Sequence, residues 1–461
     1  MPTPHSADGA TEDGDPVGGD APVTDPGTPA IATSTLSRHG MGAVLAATVF
    51  AAAAGYVVML LAGRQLGAAG YADFTVYWAL FFTFVGIANG LMQESTRSVS
   101  AEEATRAGTA PDGGPATGRS TSPALLAAGV GLVMALLIVV TSPLWASRVL
   151  QGHEVLGIGV LAVSVWTVAV QAALWGLAAG RGRWLLYACG MAADAALRLI
   201  VAVWAVAAGY GIVAFVFATV AGAVSWLLLL TASSGRTTLA RRVHEAPRSF
   251  LRRTLQAMAA SAATSVLIVG FPVLLAGAES SELGDAAGSL LFAVTVTRAP
   301  LLVPLTSFQS AIIVYFVERR STLLRALALP LSAVAAVGAV GAVLAWWIGP
   351  PLIRLVGEGF DMAGRPLAAL VGGAVTTAAL MLTGCATLAS DQHRAYAAGW
   401  WAATGTAIVI LTLPWDITTA TVTALVVGPL VGIAVHLSAA LSAVRHAPLR
   451  APDYISDTLP R

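Results

Sequence analysis

Residues 184–208 read WLLYACGMAADAALRLIVAVWAVAA, a run that is apolar except for Asp194 and Arg198. At about 1.5 Å per residue, a helix of this length reaches about 37 Å, which exceeds the roughly 30 Å hydrocarbon layer of a bilayer. Eleven further long apolar runs occur along the chain. The sequence therefore predicts a polytopic membrane protein whose fold is set by membrane-spanning helices.

The overall composition supports this class. The chain is 57% hydrophobic and 11% charged, with a mean hydropathy of +0.78, whereas a soluble domain has about 25% charged residues. This balance excludes a soluble globular domain. We predict an all-α fold of about twelve spans in two six-helix lobes, at residues 41–63, 74–91, 123–145, 156–180, 184–208, 211–231, 254–277, 286–317, 326–348, 366–388, 396–413 and 418–444.

The basic residues predict the orientation in the membrane. All 25 are arginines. If the amino terminus is cytoplasmic, 19 arginines fall on the inner side and only Arg64, Arg148, Arg354 and Arg365 face outward. Basic residues concentrate on the cytoplasmic side of membrane proteins. We therefore predict that both termini are cytoplasmic and that the protein lies in the cell membrane.

The spans divide into two similar halves. The sequence LLAG ends the first span at 60–63 and the seventh at 274–277, and the same ungapped alignment places Gly70 on Gly284. We predict an acidic disordered cytoplasmic tail (1–40), a six-helix lobe (41–231), a basic linker (232–253), a second six-helix lobe (254–444) and a cytoplasmic tail (445–461). Residues 101–122 are rich in Gly, Ala, Thr and Pro, which favours a flexible inner loop.

Three charged side chains lie inside the predicted spans: Asp194, Arg198 and Arg298. A charge at membrane depth costs at least roughly 2.5 to 3.5 kcal/mol, so it persists with a partner, a wet cavity or a function. Asp194 and Arg198 stand four residues apart on one helical face, where they can pair. Arg298 has no carboxylate nearby in the sequence. Pro300 and Pro304 follow it and predict a kinked helix.

Two interpretations of these charges stay open. In one, Arg298 and a partly neutralised Arg198 give a central cavity a positive field that binds an anion, with Asp194, Gln171 and Gln309 as further lining residues. In the other, Asp194 bridges both arginines and only joins the fifth span to the eighth. No catalytic residue, metal ligand or cofactor site is predicted.

Two other groups of polar residues have alternative interpretations. Asn89, Gln93, Glu94 and Arg97 cluster at the inner end of the second span, where they form either a cytoplasmic gate or a solvated helix end. His436 in the last span is either a proton relay or the partner of an interhelical hydrogen bond.

The loops between spans resemble a known family. RQLGAAGYADF at 64–74 is similar to the signature after the first helix of polysaccharide biosynthesis proteins. GPPLIRLVGEGF at 349–360 resembles that family's loop after the ninth span, and 386–396 its turn between the tenth and eleventh spans. These proteins are oligosaccharide-lipid flippases of the Wzx type, within the multidrug/oligosaccharidyl-lipid/polysaccharide exporter superfamily. Asp285 stands where the family often carries tyrosine or phenylalanine.

The resemblance implies a transporter that flips a lipid-linked glycan of the undecaprenyl-diphosphate type by alternating access, with the diphosphate as the anion of the cavity. The expected partners are the glycan lipid and membrane lipids, without nucleic acid. We expect a monomer that can associate with glycan-assembly enzymes. The alternative is a cation-coupled multidrug exporter of the same superfamily. Short outer loops argue against an enzyme, and a chain without lysine cannot carry the P-loop of an ATPase. Membrane potential, a proton through Asp194 or downhill consumption of substrate stay open as energy sources.

Overall fold

The computed structural model describes residues 38–106, 120–150, 152, 154–278 and 284–446. This part of the chain is nearly all helical. Its sixteen α-helices are α1 Arg38–Arg106, α2 Pro123–Val149, α3 Glu154–Gly180, α4 Trp184–Ala207, α5 Ile212–Ala221, α6 Ser225–Leu229, α7 Ser233–Leu239, α8 Pro247–Ile268, α9 Phe271–Ala278, α10 Asp285–Ser307, α11 Gln309–Val317, α12 Leu323–Trp347, α13 Gly349–Arg354, α14 Gly364–Ala389, α15 His393–Leu411 and α16 Ile417–His446.

The helices account for all twelve predicted spans, and the predicted fold class is confirmed. Within the described residues, nine helices are long and apolar enough to cross a membrane, and the bent pair α8 and α9 makes a tenth. The first of the nine, α1, contains the first two predicted spans on either side of Gly67. The less apolar α15 corresponds to the eleventh span. Of the predicted tails, 1–40 and 445–461, residues 1–37 and 447–461 lie outside the described residues. Residues 38–40 instead begin α1, and residues 445–446 end α16.

Several helices begin where a local hydrogen bond favours them. Ser122 caps α2 by accepting from the Leu125 amide (3.4 Å), and Pro123 occupies the first turn, where its missing N–H costs nothing. Asp416 caps α16 by accepting from the Thr419 amide (3.0 Å). Hydrogen bonds from Thr419 also lower the pKa of the Asp416 carboxyl.

The outer-loop signature joins the two halves of the fold. Gly67 turns the chain with φ 67 and ψ 179, a conformation that glycine adopts at little cost. The Ala68 amide then donates to the Glu358 carbonyl (3.1 Å), and the Ala69 amide donates to Asp285 Oδ1 (3.0 Å). Asp285 stands where the resembled family often has tyrosine or phenylalanine. Its carboxylate here accepts a hydrogen bond from the backbone of the signature loop.

Tyr71 of the signature lies where the two halves of the fold meet. The side chain is fully buried, and its ring packs within 5.6 Å of the rings of both Phe292 and Phe360. Phe74 packs against it on the same helix (6.1 Å). The two halves meet here and cover the ring. The signature residues are structural.

Two predicted spans are broken. The seventh begins at Pro247 rather than 254 and bends by 66° between Ile268 and Phe271. In the eighth, the helix continues through Pro300 and Pro304 and breaks at Phe308. The prolines remove only their own N–H groups, and the Phe308 amide still bonds to the Pro304 carbonyl (2.9 Å).

The predicted flexible loop at 101–122 is partly wrong. Residues 101–106 continue α1, and Thr121 forms an antiparallel bridge with Val243 of the predicted linker, with both N–H···O distances at 2.8 Å. The Thr121 hydroxyl also donates to the Glu245 carbonyl (2.6 Å). Residues 107–119 lie outside the described residues.

Small residues let α1 and α8 approach closely. A Cβ atom on Gly90 would lie 2.4 Å from the backbone carbon of Ala257, and one on Gly86 would lie 2.1 Å from the Ser265 hydroxyl. Close backbone approach through glycine is typical of helix contacts in membranes. The packing of the inner half of the fold therefore depends on these positions.

We expect Gly90→Ala to lower the thermal stability of the purified protein, because its new methyl group meets backbone atoms of α8 that cannot rotate away. Overpacking of this kind costs about 1 to 3 kcal/mol. Gly55→Ala is the control on the same helix, since a Cβ there has no neighbour within 4 Å. Equal melting temperatures for the two variants would contradict the described contact.

Candidate functional site

Asp194 and Arg198 form a bidentate ion pair on α4. Arg198 Nη2 lies 2.7 Å from Asp194 Oδ1 and Arg198 Nε lies 3.0 Å from Oδ2. The spacing of four residues places both side chains on one helical face. The side chains are 7% and 15% exposed for Arg198 and Asp194, so the pair is largely buried. The predicted pairing is present in the structure.

The neighbouring helices complete the surroundings of this pair. Gln171 on α3 donates Nε2–H to Asp194 Oδ1 (3.1 Å), and Arg198 Nη1 donates to the Thr219 carbonyl of α5. Gly222 leaves room for the pair, because a Cβ there would lie 2.3 Å from Asp194 Oδ1. The Arg198 guanidinium also lies 4.7 Å from the ring centroid of Phe82. Both charges are thus satisfied within the first half of the chain.

Arg298 on α10 has different surroundings. The side chain is 6% exposed, and its Nη1 donates to the Ile268 carbonyl (3.2 Å) at the end of α8. The guanidinium carbon lies 5.5 Å from the ring centroid of Phe271, the first residue of α9. Nε and Nη2 have no hydrogen-bond partner among the described residues. Arg298 is therefore a buried cation with two free donor groups.

The hypothesis that Asp194 bridges both arginines is wrong. In the described part of the chain, the Asp194 carboxylate pairs with Arg198 alone, and Arg298 makes no ion pair. Tertiary packing explains the difference. The Arg298 side chain points toward the break in the seventh span, where the Ile268 carbonyl at the end of α8 has no helical partner. α1 contacts both regions through Phe82 beside Arg198 and Thr83 beside Gly270.

The predicted gate residues separate into two pairs. Asn89 and Gln93 are exposed. Glu94, at 5% exposure, accepts from Arg97 Nη2 (2.5 Å) and Nε (2.8 Å) and lies 3.5 Å from Arg253 Nε of α8. The interpretation as a solvated helix end is wrong for Glu94, because linker and α8 residues cover it.

The ion pairs at this inner end extend beyond the predicted residues. Glu245 pairs with Arg253 and lies 3.7 Å from Arg97, while Glu102 accepts from Arg241 (2.9 Å) and from the His244 backbone. We call Glu94, Arg97, Glu102, Arg241, Glu245 and Arg253 the inner network. Their charges are visible in the sequence, but their pairing requires the linker to lie against the end of α1.

The remaining candidates lie apart from these groups. Gln309 begins α11 directly after the break at Phe308 and is partly buried. His436 is buried, with Nδ1 3.0 Å from the Thr383 hydroxyl and Nε2 3.2 Å from the Tyr396 carbonyl. These contacts fit the interpretation of His436 as an interhelical hydrogen-bonding residue.

We expect Asp194→Asn to destabilise the protein strongly, because it leaves a buried guanidinium without its counter-charge. Breaking one side of a buried pair costs about 3 to 5 kcal/mol. The double variant Asp194→Asn/Arg198→Gln should lose less than the sum of the two single variants, since no charge remains uncompensated. Thermal unfolding of all three variants in the same detergent measures the coupling, and additive losses would argue against the pair.

The inner network gives a second expectation. Glu94→Gln should lower the melting temperature, because Arg97 and Arg253 lose a carboxylate that is almost fully buried. Glu103→Gln is the matched control on the same helix, since that carboxylate is 41% exposed and exposed pairs contribute at most about 1 kcal/mol. A larger loss in the Glu103 variant would contradict the described burial.

Comparison with known proteins identifies the family and the fold. No family model matches the chain. It is 40% identical over 405 residues to Uncharacterized protein Rv1510 of Mycobacterium tuberculosis, covering 87% of this chain and 92% of that protein. It is 39% identical over 398 residues to Uncharacterized protein Rv3630 of the same species, covering 86% and 89%. The chain belongs to the family of these mycobacterial proteins.

The similar solved structures are transporters. An inward-facing multidrug resistance MATE family transporter of the MOP superfamily matches with a TM-score of 0.63 and 15% identity, over 87% of this chain and 96% of that one. A MOP superfamily transporter from Pyrococcus furiosus, described by a binding pocket of reverse polarity, matches at 0.60 and 14%, over 88% and 96%. The chain is a multi-pass membrane protein with the two-lobe MATE fold. The narrower resemblance to polysaccharide flippases stays a prediction.

Proposed function

We propose that this protein flips a lipid whose head group carries a diphosphate and a glycan across the cytoplasmic membrane. The observation that supports this cargo is Arg298, a buried guanidinium whose Nε and Nη2 are unpartnered among the described residues. Unpaired donors on a buried cation are costly, and a phosphate group satisfies them with two parallel N–H···O bonds. The planar fork of arginine suits this geometry.

The alternative, a cation-coupled exporter, shares the same fold. It requires a carboxylate that is free to bind a proton or a metal cation inside the membrane. Asp194 is held by two arginine nitrogens and Gln171, and Glu94 by Arg97 and Arg253. The surplus charge within the predicted spans is therefore positive, which favours an anionic cargo. The Pyrococcus transporter, described by a pocket of reverse polarity, indicates that this fold accommodates different pocket charges.

The breaks in the fold suggest how the cargo reaches Arg298. The guanidinium contacts the last residue of α8 and the first residue of α9, on either side of the 66° bend. A change in this bend during alternating access would move Ile268 and Phe271 relative to α10. The free donors of Arg298 would then face the central cavity that the sequence predicts. The lipid tail stays in the bilayer while the glycan crosses with the diphosphate.

Reconstituted transport tests the proposal. In proteoliposomes containing a fluorescent polyprenyl-diphosphate glycan, we expect the wild-type protein to make inner-leaflet probe accessible to an external quencher. Arg298→Gln should reduce this rate at least tenfold, because the charge and the fork are lost. Arg298→Lys should recover part of the rate, since it restores the charge without the fork.

The controls separate a binding role from a folding role. Thr297→Ala is the matched variant on the same helix, because among the described residues the Thr297 hydroxyl bonds only to the Ala293 and Val294 carbonyls of its own helix. Gel filtration and melting temperature report folding of each variant. Unchanged flipping by folded Arg298→Gln would overturn the role of Arg298. Proton-driven efflux of cationic dyes without lipid flipping would instead favour the exporter.

A further inference from the structure

The six arginines between α6 and the body of α8 are not equivalent. Four of them bind protein groups: Arg236 donates to the Leu230 carbonyl (2.9 Å), Arg242 to the Ser120 hydroxyl (3.1 Å), and Arg241 and Arg253 belong to the inner network. Arg248 and Arg252 are exposed, and neither makes a hydrogen bond or ion pair within the described part of the chain. Docking of the linker therefore does not explain these two charges.

Arg248 and Arg252 lie on one face of α8, four residues apart. Gln256 continues the same face one turn further, and the three side chains cover about 12 Å along the helix axis. Leu251 and Leu255 lie beside them, 37% and 50% exposed. Together with Ala259 these residues, all on α8, border a shallow and open depression of about 450 Å³ that we call the α8 groove.

We propose that the α8 groove is an entry site for a lipid diphosphate from the inner leaflet. This inference rests on the proposed function, since it assigns the first binding step of the same cargo. The backbone positions of Arg248 and Arg252 are separated by about 6 Å of helix rise, so their two flexible side chains can both reach one pair of adjacent phosphoryl groups. A diphosphate carries enough negative charge to match two cations, whereas an ordinary anionic phospholipid carries about one.

The remaining features of the groove fit the other parts of this ligand. Leu251, Leu255 and Ala259 offer apolar surface to the first isoprene units. The exposed Gln256 carboxamide lies one helical turn beyond Arg252 and offers a polar contact. The occupant is therefore an amphiphile with two phosphates and an apolar tail.

Direct binding tests the groove. Full-length protein in detergent micelles is titrated with geranylgeranyl diphosphate, both as wild type and in an Arg298→Gln background that removes the proposed central contact. We expect Arg248→Gln/Arg252→Gln to weaken binding at least tenfold in both backgrounds. Arg325→Gln/Arg394→Gln is the matched control, since these two arginines are also exposed near the inner surface in the second half of the chain. The control should bind within twofold of its parent.

Competitors define the ligand class. If inorganic diphosphate or geranylgeraniol competes as well as the lipid diphosphate, the claim that the ligand needs both a diphosphate and an apolar tail is wrong. If phosphatidylglycerol competes equally, the α8 groove binds anionic lipids in general and the proposed specificity is wrong. Wild-type affinity in Arg248→Gln/Arg252→Gln would overturn the groove itself while leaving the role of Arg298 intact. Groove binding without any flipping by the wild-type protein would instead refute the proposed function and with it the entry role, while the binding site itself would stand.

The transport assay adds an independent readout. In the proteoliposomes described above, Arg248→Gln/Arg252→Gln should raise the lipid concentration needed for half-maximal flipping at least fivefold and leave the maximal rate within twofold. Arg298→Gln should lower the maximal rate. A lower maximal rate with unchanged half-saturation in the groove variant would contradict an entry site.

Discussion

The cost of holding a guanidinium away from water governs the arrangement of this protein. Each arginine within the hydrocarbon layer must find oxygen acceptors, a ring face or a ligand. Arg198 finds all its acceptors on α4 and α5 and rests on the Phe82 ring. The surrounding helices are therefore fixed relative to one another by a pair that is neutral overall. The Asp194–Arg198 pair itself needs nothing from the other half of the fold.

Arg298 meets the same requirement only in part. One nitrogen satisfies the carbonyl that the end of α8 leaves free, which is a stabilising contact for a broken helix. The other donors contribute nothing to this contact, and glutamine could supply a single N–H without burying a charge. A purely structural account explains Nη1 and leaves Nε and Nη2 without a role. The asymmetry between Arg198 and Arg298 is the physical reason for locating cargo recognition in the second half of the chain.

The twelve apolar runs predicted the helices, and the pairing of Asp194 with Arg198 followed from their spacing of four. Contacts between distant segments could not be predicted in this way. Nothing local to Glu94 indicates that Arg253 covers it, because that pairing depends on a linker that folds back to Thr121. Tyr71 likewise looks interfacial until Phe292 and Phe360 surround it. Periodicity reports which face of a helix is apolar, but it carries no information on which helix lies against that face.

The contacts between the halves lie close to the chain segments that must bend. On the outer side, the turn at Gly67 is held by Asp285 at the start of α10, the helix that carries Arg298. On the inner side, Gly86 and Gly90 bring α1 against α8, which ends at the bend. A rotation of one half relative to the other would change both contacts, the Gly67–Asp285 turn and the α1–α8 contact. Arg298 is on α10, which begins at Asp285, and it contacts the end of α8. Cargo binding at that guanidinium, as proposed above, would act directly on the helices that carry these contacts.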